Sequence, residues 1–140
     1  MNKFEEKTIK TEQIFTGKVL SLQVDDVELP NGKYSKRELI KHPGAVAVIA
    51  ITDENKIVMV EQYRKALEQS IVEIPAGKLE PGEEPSVTVA RELEEETGYK
   101  SNELEWLITI RTTVALCNEK IEIFVAKNLD AILADLQAAI

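Results

Sequence analysis

The sequence predicts an α/β fold, and three observations carry that expectation. Short β-branched and apolar runs alternate with turn signals, one strongly marked helix lies among them, and the first forty residues pattern as β structure around a hairpin turn. Val19, Leu20, Leu22, Val24, Val27 and Leu29 alternate in part as a strand would, up to Pro30-Asn31-Gly32. Asn and Gly tolerate positive φ, so that tripeptide reads as a hairpin turn and Tyr34 to Lys41 as the returning strand, broken by Pro43-Gly44. Ala45 to Ile51 and Lys56 to Tyr63 read as two core strands on either side of the polar turn Thr52-Asp53-Glu54-Asn55. Pro85 to Thr97 reads as a helix. Pro85 suits a first-turn position where no amide donor is missed, and Gly98 suits the left-handed residue that ends a helix. Leu104 to Thr112 and Glu119 to Val125 read as strands, and the apolar spacing of Leu129, Ile132, Leu133, Leu136 and Ile140 predicts a short amphipathic helix over 130–140.

A chain of 140 residues with 44% hydrophobic and 30% charged residues fits one globular domain. Repeats and Gly/Ser linkers are lacking, so the expectation is a single domain: N-terminal strands over 1–42, a core over 43–129 and the short helix over 130–140. The longest nearly uncharged run, Pro43 to Thr52, is far shorter than the ~20 apolar residues that span a bilayer. MNKFEEKTIK mixes charges of both signs with no apolar stretch after it, which argues against a signal peptide. The one cysteine, Cys117, excludes an internal disulfide framework and suits a reducing, cytoplasmic setting. With a net charge of −8, the chain lacks the cationic surplus that nonspecific nucleic-acid binding needs.

The charge is concentrated. Between Glu80 and Glu96 stand seven glutamates and one cation, Arg91. On a helical wheel Glu92, Glu95 and Glu96 gather within about a third of the circumference. Glu94 points elsewhere, and Val89, Leu93 and Thr97 lie beside the cluster as the face that anchors the helix. Like charges three and four residues apart repel, so a helix carrying them on one face calls for a counter-ion. A hard divalent cation such as Mg²⁺ supplies one through oxygen ligands and leaves positions for water and phosphate. A Glu-rich helix face is most often simply solvated. Here the Gly/Pro-punctuated run Pro75-Ala76-Gly77-Lys78-Leu79-Glu80-Pro81-Gly82-Glu83 enters the helix and lets backbone approach a ligand closely, which favours the metal reading.

Gly77, five residues, Glu83, seven residues, then Arg91-Glu92-Leu93-Glu94-Glu95-Glu96-Thr97-Gly98-Tyr99 resembles the Nudix box, G-x5-E-x7-R-E-U-x-E-E-x-G-U, with Tyr99 in the last aliphatic place. The resemblance implies an α/β/α sandwich around a mixed sheet, and hydrolysis of a nucleoside diphosphate linked to another group with Mg²⁺ or Mn²⁺. It implies that Glu92, Glu95 and Glu96 are metal ligands and catalytic, with the Ala76 carbonyl as a further ligand. Glu83 and Arg91 would form a structural ion pair, and Gly77 and Gly98 would serve backbone geometry. Beyond the box, Phe15-Thr16-Gly17-Lys18-Val19, Val27-Glu28-Leu29-Pro30-Asn31-Gly32, Arg37-Glu38, His42-Pro43-Gly44-Ala45-Val46, Glu61-Gln62-Tyr63-Arg64 and Glu73-Ile74-Pro75-Ala76-Gly77 resemble bacterial ADP-ribose pyrophosphatases. Those enzymes cut ADP-ribose to AMP and ribose 5-phosphate, commonly as homodimers whose N-terminal strands reach the partner. By that resemblance Arg64, and less directly Arg37, would contact phosphate, and Glu73 would sit near the metals. His42 and Cys117 carry no expected catalytic role, and Glu119 is a stand-in for a general base. Thr113-Val114-Ala115-Leu116 replaces the usual Pro/Gly-containing loop, and a segment without Pro or Gly favours extended structure. The alternative function is a catalytically weak Nudix domain that binds a nucleotide.

Overall fold

A computed structural model describes residues 2–132. The described residues divide into two compact units, residues 2–44 with 111–119, and residues 45–110 with 120–132.

In the first unit β1 (Lys7–Thr16), β2 (Ser21–Glu28) and β3 (Tyr34–Lys41) form an antiparallel sheet in that order. The β2–β3 turn closes as its residues demand. Gly32 takes φ 81°, the Asn31 side chain accepts from the Lys33 N–H, and Leu29 N–H bonds the Lys33 carbonyl. Asp25 on β2 is 6% exposed. It accepts hydrogen bonds from the Thr8 hydroxyl at 3.1 Å, the Thr11 hydroxyl at 2.8 Å and the Gln23 amide at 2.8 Å, so β1 is tied down by a buried carboxylate as well as by its ladder. Thr113–Leu116 is a turn rather than the expected extended segment, with the Leu116 and Cys117 N–H groups both donating to the Thr113 carbonyl.

The second unit holds a mixed four-stranded sheet, ordered β7 (Ala76–Lys78), β4 (Ala45–Ala50), β10 (Lys120–Lys127), β9 (Glu103–Arg111). β4 and β10 run parallel, and β7 runs antiparallel to β4. Strand periodicity puts Val46, Val48 and Ala50 on one face, level with Glu122, Phe124 and Ala126 of β10. Helix α1 (Pro85–Thr97) packs there, adding Val89 and Leu93, both 0% exposed, to a core completed by Val58, Leu79, Tyr99, Leu104 and Leu129. The helix has its expected bounds, with Pro85 in the first turn and Gly98 left-handed at φ 70°.

Two elements depart from expectation. β5 (Val60–Arg64) begins four residues late, because Asn55 at φ 59° turns the chain and Ile57 makes only an isolated bridge to Ile51. β5 pairs with β6 (Gln69–Glu73) as a separate antiparallel hairpin. Asp130–Ala131, expected in the terminal helix, instead forms strand β11 against β8 (Tyr99–Lys100); residues 133–140 of that expected helix lie outside the described residues. Among the described residues the second unit has one α-helix, and no helix is long and apolar enough to cross a membrane.

Candidate metal and phosphate site

The site is built where α1 crosses β7. Val46 of β4 pairs with Gly77 of β7, and Glu92 of α1 lies over that glycine. A Cβ added at Gly77 would come within 2.2 Å of the Glu92 Cδ, so the carboxylate occupies the space a side chain would fill. Leu93, packed into the core beside it, fixes the helix face that brings Glu92 there.

Each glutamate of the cluster has its own partners. Arg91 Nη1 lies 3.2 Å from Glu92 Oε1 and 3.3 Å from Glu95 Oε2, and its Nη2 lies 3.3 Å from Glu83 Oε1. The expected Glu83–Arg91 pair is present, and the same guanidinium also serves two glutamates of the cluster. Among the described residues Glu96 has no cation bonded to it: Oε2 accepts from the Ala76 N–H at 3.1 Å and Oε1 from the Gln62 amide at 3.4 Å. Burial pushes the Glu92 and Glu96 carboxyls above the ordinary carboxylate value. For Glu92 the nearby charges of Glu95 and Glu80 add to the rise while Arg91 opposes it. For Glu96 the charge of Glu92 adds to it, and the Ala76 and Gln62 donors and Arg64 oppose it.

The β5–β6 hairpin supplies the neighbouring polar groups. Gln62 and Arg64 alternate on one face of β5, and Glu73 stands opposite Val60 on the same face. Arg64 Nε donates to Glu73 Oε2 at 2.6 Å. Arg64 and Glu73, both expected near substrate, are therefore brought together. Arg37 belongs to the first unit, where its Nε and Nη2 grip both oxygens of Glu6 at 2.8 and 2.7 Å. Glu119 is also in the first unit, accepting from the Thr112 hydroxyl at 2.6 Å and standing 3.8 Å from His42 Nε2.

Among the described residues no group of three or more His, Cys, Asp or Glu side chains is arranged to hold a metal ion as it stands. The partners explain it: Arg91 draws Glu92 and Glu95 toward itself, while Glu96 is held by Ala76 and Gln62. The donor set still fits a hard divalent cation. It offers three carboxylates on one helical face, and the space at Gly77 is taken by the Glu92 carboxylate where a side chain would otherwise stand. Sequence reasoning missed Gln62 as a site residue. Its alternation with Arg64 along β5 was the available signal.

Comparison with known proteins places these features. A family model described as NUDIX domain matches residues 41–127, and one described as nucleoside diphosphate sugar hydrolase N-terminal domain matches residues 6–40. The chain is 71% identical over 126 residues to the methanol dehydrogenase activator of Bacillus methanolicus, covering 90% of this chain and 68% of that protein. It is 59% identical over 132 residues to the ADP-ribose pyrophosphatase of Bacillus subtilis (strain 168), covering 94% of this chain and 71% of that one. Its fold is like that in the crystal structure of an ADP compounds hydrolase, with a TM-score of 0.83 at 21% identity over 97% of this chain and 74% of the other.

Proposed function

This chain belongs to the Nudix family, and from that premise we propose that it hydrolyses the pyrophosphate bond of ADP-ribose, or of a related nucleoside diphosphate derivative, to AMP and ribose 5-phosphate. The observation that carries the reading is the carboxylate cluster of α1, with Glu92 seated over Gly77 and Glu96 bonded to the Ala76 N–H, and with Arg64 on the β5–β6 hairpin. Glu92, Glu95 and Glu96 would hold Mg²⁺, with Mn²⁺ as a substitute, and the Ala76 carbonyl would be a further ligand. A divalent cation held there would lower the pKa of water and offset charge on the phosphate oxygens. Water adds to one phosphorus, the bridging P–O bond breaks, and the bridging oxygen leaves on the other phosphate. Arg64 binds a phosphate through its planar fork, a task that requires it to share or leave Glu73. Arg91 balances Glu92 and Glu95 and ties them to the Glu83 loop. Arg37, in the first unit, is held by Glu6, and any phosphate contact of its own would compete with that pair.

The exposed apolar residues Ile9, Ile14 and Phe15 on β1 and Tyr34 on β3 support homodimerisation through the N-terminal strands. The acidic balance supports a small-molecule substrate over nucleic acid, and the lone Cys117 a cytoplasmic setting. The test is a panel of ADP-ribose, other nucleotide sugars and dinucleoside polyphosphates with Mg²⁺. The reading predicts the highest kcat/KM for ADP-ribose; no turnover of any member by folded protein contradicts it.

The 71% identity to the methanol dehydrogenase activator favours a second reading, in which the chain raises the activity of an alcohol dehydrogenase. Adding it to a methanol dehydrogenase and following alcohol oxidation tests that reading, with no rise in rate as the contradicting result.

A further inference from the structure

The cluster treats its members unequally. Glu92 and Glu95 share the guanidinium of Arg91, whereas among the described residues the hydrogen-bond donors to Glu96 are neutral. One donor is the backbone N–H of Ala76, which β7 fixes in place; the other is the side-chain amide of Gln62, presented by the β5–β6 hairpin. The terminal torsion of a glutamate is broad and nearly two-fold, so a single hydrogen bond leaves the carboxylate plane free to swing. Two donors, one on each oxygen and from two different elements, fix it. Both donors are neutral and add no positive charge of their own, the nearest cationic influence on Glu96 being Arg64, and each carboxylate oxygen keeps a lone pair for another partner. Gln62 is partly buried, with Ile71 opposite it on β6, so the amide is held by the hairpin face and does not sweep through solvent.

We propose that Gln62 is a positioning residue: its amide sets the plane of the Glu96 carboxylate and so aims it at the cation that the cluster would hold. The inference rests on the metal-dependent reading above and adds to it a residue outside the Nudix box. Groups that orient metal ligands commonly contribute about ten- to hundredfold to metal affinity or activity. Gln62 does not touch substrate in this role, so its loss acts on the metal and leaves substrate binding alone.

The test is Mn²⁺ binding to substrate-free protein, read from the electron paramagnetic resonance signal of free Mn²⁺, for wild type, Gln62→Met and Gln62→Asn. Methionine keeps the length without the donor, and asparagine keeps the amide but shortens its reach. Both variants are expected to unfold in EDTA at the wild-type Tm and to raise the Mn²⁺ Kd about tenfold. At subsaturating Mn²⁺ the kcat for ADP-ribose falls by the same factor, with KM unchanged. A Kd within about twofold of wild type in the folded variants overturns the assignment, since an orienting partner is worth more than that. Wild-type protein that binds Mn²⁺ but turns over no substrate sinks the proposed reaction alone, and Gln62 is still decided by the Kd values. Wild-type protein that binds no Mn²⁺ overturns both.

Discussion

Glu92 sits where the side chain of residue 77 would be. An added Cβ at Gly77 meets Cδ, Oε1 and Cγ of Glu92, at 2.2, 2.3 and 2.5 Å, and no backbone atom is among these nearest contacts. The far end of a glutamate can move aside, so the structural damage from Gly77→Ala is small, while the position of the carboxylate is lost. The expected result is a stability change within about 1 kcal/mol together with about tenfold weaker Mn²⁺ binding. Thermal unfolding in EDTA and Mn²⁺ titration of the same samples check it; unchanged binding would remove the seat from the account.

Burial raises the Glu92 and Glu96 carboxyls, which fixes the direction of two pH effects. The folded protein holds these protons more tightly than the unfolded chain, so the metal-free protein loses stability as pH rises from the ordinary Glu value through the raised one. Cation binding needs the ionised forms, and so it weakens as pH falls through the same raised values. Tm measured against pH in EDTA and in Mg²⁺ should therefore diverge as pH rises, with the Mg²⁺ series higher at neutral pH. Parallel curves would contradict the assignment.

Arg91 meets Glu83, Glu92 and Glu95 with one guanidinium. Arg91→Ala leaves three carboxylates facing one another without a counter-charge, and a bound divalent cation relieves part of that repulsion. The loss of Tm is expected to be larger in EDTA than in saturating Mg²⁺. An equal loss in both would mean that Arg91 acts only through Glu83.

Asp25 joins β1 to β2 by accepting from Thr8, Thr11 and Gln23, and these hydrogen bonds, that from Thr11 foremost, hold its carboxyl below the ordinary value. Its contribution is present above the unfolded pKa and is lost as pH falls through the depressed folded one. Asp25→Ala should raise amide hydrogen exchange across Lys7–Thr16 at neutral pH and leave α1 protected. Uniform exchange in both regions would show that the carboxylate is not a local tie.

Much of this was legible because local chemistry and tertiary packing agree. Pro85 and Gly98 bound α1, and the wheel positions of Val89 and Leu93 place the glutamates beside the buried face. Tyr34–Lys41 was legible because Asn31 and Gly32 fix the turn before it. Ile57, Val58 and Met59 carry strand-like residues, yet Asn55 turns the chain and postpones regular pairing to Val60. The apolar spacing near the end predicted a helix, whereas Asp130–Ala131 pairs with Tyr99–Lys100. The second and third partners of Arg91, the Glu6 grip on Arg37 and the reach of Gln62 to Glu96 are set by rotamers and by how elements pack. Residue spacing along the chain does not encode them.

The central claim is that the α1 carboxylates support metal-dependent cleavage of a nucleoside diphosphate. Its most direct test is AMP release from ADP-ribose by wild type and Glu96→Gln, each with Mg²⁺ and with EDTA. The account predicts release by wild type in Mg²⁺ only, and a loss of at least about a hundredfold in the variant, since a ligand should cost no less than the groups that orient it. Release that persists in EDTA, or in Glu96→Gln at the wild-type rate, would contradict it.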